Sequence, residues 1–168
     1  RRFYKETEIE SYTEALATAL QGLPLEPSDR NILLSHQFVT GANRSESEEI
    51  SVGGLDNVDV TVYKGFDYVA LGHIHKPQSV IPGKAAYSGA LEPSDKNDTG
   101  PHGYILGEIA DKKCRIKFVP FASREYIHLE TEATGDMSGS RLKEKIREEI
   151  DERGRENIYK ILLKGYRD

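Results

Sequence analysis

Residues 67–78 read DYVALGHIHKPQ, an apolar run that passes through Gly72 into two histidines, His73 and His75, one residue apart. Continuous rather than alternating apolar character over 66–72 predicts a buried strand in a sheet covered on both faces. A second short apolar run, NILLSH at 31–36, is bounded by turn residues, predicts another buried strand, and ends in His36. Ligands of open α/β sheets collect outside the carboxyl ends of the strands. Three of the five histidines in the chain fall at such ends. Extended backbone would point His73 and His75 the same way, and Gly72 removes a side chain where something approaches the backbone closely. Imidazole is the commonest metal ligand and suits Mn, Fe, Zn and Ni. The same residues also read as plain surface histidines or as partners of backbone carbonyls, and spacing alone does not separate these readings. A closed structural zinc does not explain them, because there is no cysteine pair and these three histidines are too few and too close to fill four positions by themselves. Asp67, Glu92 and Asp95 could add carboxylates, although nothing in their spacing requires it.

The bulk properties bound the rest. A chain of 168 residues, 37% hydrophobic and 30% charged, is long enough for one well-buried domain or one domain with an appendage. No apolar run approaches the roughly 18 residues of a membrane span. The start, RRFYKETEIE, lacks the apolar core of a signal peptide. A single cysteine, Cys114, fits a reducing compartment, so the expected location is the cytoplasm, with no membrane association. A net charge of −5 argues against binding nucleic acid by whole-molecule electrostatics, but leaves room for local basic strips and for phosphate contacts through metal ions. The basic start without Met suggests a fragment, or processing that produces the same start.

Elsewhere the pattern predicts a helix over 7–20, with Ile9, Tyr12, Leu16 and Leu20 on one face and Thr7 with Glu10 as a capping box. GLPLEPSDR at 22–30 breaks it. The polar, glycine-punctuated stretch at 40–54 reads as a functional or disordered loop. KAAYSG, GYILGEIA, CRIKFVPF and EYIHLET, between residues 84 and 131, read as short strands in hairpins. Within them Lys113, Arg115 and Lys117 alternate with Cys114, Ile116 and Phe118, one face solvated and one in the core. His102 reads as a solvated loop residue, and His128 as structural or exposed. Ser138 or Ser140 caps a helix over 141–153, whose stripe of Leu142, Ile146 and Ile150 is too narrow to stand alone and should pack on Ile127, Leu129, Ile161 and Leu163. Gly154 closes that helix, and NIYKILLKG at 157–165 forms a last strand. The tail from Phe121 onward therefore reads as a small α+β unit, giving two parts, residues 1–120 and 121–168.

LLSHQFVTGANRSESEEISVGG at 33–54, followed by FDYVALGHIHKPQ at 66–78, resembles the second half of the bacterial SbcD-type nuclease subunits, within the calcineurin-like metallophosphoesterases. The resemblance runs from about residue 10 to 89 and weakens through 91–104, while residues 156–165 resemble the capping domain of that family. It implies an α/β fold, the C-terminal half of a layered metallophosphoesterase domain plus part of a small α+β capping domain. It also implies a metal-dependent DNA nuclease of double-strand-break or hairpin processing, with two manganese ions. His36 and His73 would bind one ion and His75 the other. Implied partners are DNA and an SbcC-type ATPase, with a homodimer among the arrangements. The carboxylates and the acid histidine of the family belong to motifs absent here: there is no Asp-x-His, no Gly-Asp-x-x-Asp and no Gly-Asn-His-Asp, and GDMSG at 135–139 lacks the second aspartate. The chain thus carries half of the site, and alone should be inactive. Two alternatives stand beside this: a metallophosphoesterase of small nucleotides or phosphoesters, and a non-catalytic DNA-end or assembly module.

Overall fold

The computed structural model describes residues 9–44 and 57–165. A four-stranded mixed sheet carries the core, in the order β1 (Ile32–His36), β4 (Tyr68–Gly72), β6 (Ala85–Tyr87), β5 (Gln78–Ile81). β1 and β6 flank β4 in parallel, whereas β5 runs antiparallel to β6 with a register shift between Ser79 and Ile81. β2 (Phe38–Val39) and β3 (Asn57–Val58) form a short parallel pair. Phe38, Val39 and Val58 of this pair join Tyr63, Phe66, Val69, Leu71, Ile74 and Tyr87 in one buried cluster, against which Leu16 and Leu20 of helix α1 (Tyr12–Gln21) pack. Two buried tyrosines keep their hydroxyls satisfied, as a dry interior demands. Tyr63 shares a hydrogen bond with the Ser35 hydroxyl, and Tyr87 donates to the Gln37 carbonyl.

Several expectations change. α1 begins at Tyr12, because Ser11 caps it by accepting from the Glu14 amide. Ile9 lies outside the helix and Tyr12 is exposed, while the Thr7 cap and most of the 40–54 loop lie outside the described residues. β1 is not a buried strand. It forms the edge of the described sheet, with Ile32 and Leu34 exposed, Leu34 by 80%. Only the alternate residues Leu33 and Ser35 turn inward. Apolar character alone implies cover on both faces, and that implication fails for an edge strand.

β7 (Gly103–Ala110) and β8 (Lys113–Pro120) form the expected antiparallel hairpin, with Asp111 and Lys112 both at positive φ in its two-residue turn. That conformation matches the right-handed twist of paired strands. On β8 the Lys113, Arg115, Lys117 row is exposed and its alternates turn inward. β9 (Tyr126–Ala133) is no hairpin strand. It pairs in parallel with β10 (Ile158–Gly165) along eight residues, across helix α2 (Gly139–Arg153). A parallel pair needs such a crossover, and the strand–helix–strand order supplies it. Ser138 accepts from the Arg141 amide at the start of α2, and Gly154 ends it at φ +101. The helix stripe is half-buried and Leu129 of β9 is buried, but Ile161 and Leu163 are exposed and so do not take their expected part; β10 meets the end of α2 through Tyr159, whose hydroxyl donates to the Ile150 and Gly154 carbonyls. Among the described residues no helix is long and apolar enough to cross a membrane.

Candidate metal centre

The parallel register of β1 and β4 pairs His36 with Gly72, so the two strands end side by side. That pairing brings His36 to the residue before His73. The absence of a side chain at Gly72 matters here, since a Cβ would stand 3.1 Å from His36 Nδ1. The strand ends at Gly72, and His73 takes φ +111, a conformation that bulky side chains seldom adopt. Holding it costs on the order of 1–3 kcal/mol, and such strain gathers at functional sites. The turn aims the ring back at β1, where His73 Nδ1 and His36 Nε2 lie 3.0 Å apart. Phe38 meets the His73 ring edge-on, with 4.0 Å between centroids.

Ile74 explains the alternation of the motif. It is buried in the core cluster, so it pins the loop from beneath while His73 and His75 flank it. The extended-strand argument for two parallel rings does not apply to this backbone. His73 meets His36, whereas the Nδ1 of His75 contacts the carboxylate of Asp98 at 3.0 and 3.2 Å. Ala90 donates its amide to the His75 carbonyl, and Gly89 passes so close that a Cβ would come within 2.4 Å of that oxygen.

Of the carboxylates weighed from the sequence, Asp67 stands at the start of β4, the opposite end from the histidines. It accepts from the Asn31 amide and the Lys112 ammonium, and the first of these chiefly holds its carboxyl below the usual aspartate value. Asp95 accepts from the Asn97 amide, and Glu92 is exposed. A carboxylate that does reach a site histidine is Asp98, which sequence reasoning passes over. Its signal is position in the polar run PSDKND at 93–98, where Ser94 and Asp95 can close a turn on it. His102 is buried rather than solvated, donating through Nδ1 to the Gly100 carbonyl. His128 is exposed on β9 and donates to the Lys96 carbonyl.

The His36 and His73 nitrogens fit a shared ion: two ligands on bonds of roughly 2.1 Å lie about 3 Å apart. They form part of a coordination shell only. Among the described residues no group of three or more histidine, cysteine, aspartate or glutamate side chains is arranged to hold a metal.

These features define a mixed α/β chain with a histidine pair at the carboxyl ends of adjacent parallel strands. No family model matches it. Two curated relatives are each named as the D component of the SbcCD nuclease. The one from Staphylococcus saprophyticus is 34% identical over 122 residues, 70% of this chain and 32% of that protein. The one from Staphylococcus epidermidis is 33% identical over 94 residues, 54% of this chain and 25% of that protein. The chain is SbcD-like in sequence and spans about a third or less of the length of these relatives.

Proposed function

We propose that the chain contributes part of a metal-dependent DNA nuclease of the SbcD kind, with a calcineurin-like phosphoesterase fold. The observation that carries this is the His36–His73 pair, 3.0 Å apart at the ends of two parallel strands, with His73 at φ +111. His36 and His73 would hold one divalent ion, taken as manganese, and His75 would belong to a second. Two such ions, when bound, neutralise the attacking and leaving oxygens of a phosphodiester. In this reading Ile74 fixes the loop, Phe38 limits the rotation of the His73 ring, and Gly72 lets the His36 ring approach the backbone.

The remaining ligands would come from a preceding half-domain. The open edge of β1, which among the described strands pairs with β4 alone, supports a sheet that continues beyond it. Residues 121–168 would form part of a capping domain that guides DNA. The SbcCD name carried by both relatives supports an SbcC-type ATPase as partner.

Calorimetric titration with manganese tests the reading. The chain alone should bind manganese weakly, as a single ion, and lose that binding in His36→Ala or His73→Ala. It should not cleave linear duplex or single-stranded DNA. No binding at all would sink the metal assignment. Robust cleavage abolished by His73→Ala would show a complete site and overturn the division into halves.

A further inference from the structure

Asp98 is a carboxylate with no exposed side-chain surface, in a loop rather than in the core. A buried charge without compensation is costly, so its partners account for its presence. Oδ2 accepts from the Ser94 amide at 3.1 Å, the Ser94 hydroxyl at 3.0 Å and the Asp95 amide at 3.0 Å. A further partner is His75 Nδ1, at 3.0 Å from Oδ2 and 3.2 Å from Oδ1. An ionised carboxylate only accepts, so the hydrogen of this contact sits on Nδ1. The neutral ring is then the Nδ1–H tautomer, and Nε2 carries the lone pair.

The loop that carries Asp98 is itself held. The Asp98 amide donates to the Asp95 carbonyl, and His128 of β9 donates to the Lys96 carbonyl. An isolated bridge pairs Thr99 with Tyr126, the first residue of β9. The far side of the His75 ring thus meets an acceptor anchored from two directions.

We propose that Asp98 is a positioning residue for His75, fixing its ring and tautomer so that Nε2 is the nitrogen presented to a metal ion. This rests on the nuclease reading for the identity of the ligand, but not for the tautomer. A carboxylate behind a ligating imidazole raises its basicity, and removing such a partner typically weakens metal binding 10–100-fold.

The experiment is a long-range 15N–1H correlation spectrum of the 15N-histidine-labelled chain, at about pH 8.5 where unperturbed imidazoles are neutral, without metal and then with added manganese. His75 should appear as the Nδ1–H form, against the preference of a free imidazole. In Asp98→Ala it should revert to the Nε2–H form or to a mixture. Ser94→Ala, which removes the hydroxyl's hydrogen bond to Asp98 and its longer 3.5 Å contact with His75 Nδ1 but leaves Asp98 against His75, should keep the parent tautomer. An Nε2–H form in the unsubstituted chain overturns the proposal, whether or not Asp98→Ala folds. So does an Asp98→Ala chain that keeps the parent tautomer. The expected tautomers in a chain whose His36 and His73 signals manganese leaves sharp would uphold the positioning by Asp98 and overturn the nuclease reading instead.

Discussion

The histidine end of the sheet and the β9–α2–β10 unit follow opposite rules. The unit mostly follows local preference: a serine caps its helix, a glycine at φ +101 ends it, and its strands keep one register for eight residues, with departures at the buried, unpartnered Thr131 hydroxyl and at Gly165, φ +113 against the Ala133 carbonyl. The histidine end breaks preference repeatedly, with a histidine at φ +111, a buried carboxylate in a loop, and a glycine pressed against the His75 carbonyl. Local consistency is what makes a sequence foldable, and departures from it collect where chemistry is done. What sets the histidine end apart is a non-glycine residue at strained φ beside a buried loop carboxylate, and that combination marks the site without any motif.

Substitutions can break or sharpen this contrast. The largest effect should come from Gly89→Ala. Its φ of +76 suits glycine, and the new Cβ would meet the His75 carbonyl oxygen at 2.4 Å and the Pro77 nitrogen at 2.9 Å, both backbone atoms. Left-handed strain and overpacking together should cost roughly 2–5 kcal/mol, read as a lower urea midpoint. A variant as stable as its parent would mean that the loop carrying His75 yields easily, and the contrast would lose its footing.

In the regular unit, Ile146→Ala should cost roughly 1–2.5 kcal/mol, about half the value for a fully buried aliphatic, since the α2 stripe is half-buried. Ser138→Ala removes the acceptor for the Arg141 amide and should cost about 1 kcal/mol. Chemical denaturation of each, with the helix signal as probe, checks both. A cost near 4 kcal/mol for Ile146→Ala would show far more packing on α2 than its exposure indicates.

A smaller effect is expected at the amino end of β4. The carboxyl of Asp67 is held below its ordinary 3.8, first by the Asn31 amide and then by Lys112. A carboxylate with a depressed folded value adds stability that is complete above the unfolded value and is lost as pH falls through the folded one. The urea midpoint of Asp67→Asn should therefore lie below that of the parent near neutrality, and the two should converge below 3.8. A gap that persists in acid would assign the difference to packing. The least effect belongs to Lys117→Glu on the exposed face of β8, where a change within about 0.5 kcal/mol is expected.

Much of this contrast is legible in the residues. The β4 strand, the approach to Gly72, the alternation on β8 and the caps of α2 each rest on local chemistry, and each stands in the structure. What misleads depends on neighbours. Leu34 is apolar whether its strand is central or at an edge, so the sequence does not announce its exposure. EYIHLET reads like a hairpin strand because parallel pairing with residues 158–165 skips the intervening helix. Asp98 escapes notice because its role comes from meeting His75, 23 positions away, and no local pattern marks that contact.

The loop around Asp98 has one consequence that touches time rather than geometry. The amides of Ser94 and Asp95 lie outside every strand and helix, where backbone hydrogens usually trade with solvent deuterium almost at once. Both donate instead to a carboxylate that solvent does not reach. Their deuterium uptake should be slow for a loop, and each exchange event should report a moment when the carboxylate lets go. Two amides in an irregular segment thus serve as a clock for how often His75 loses its support.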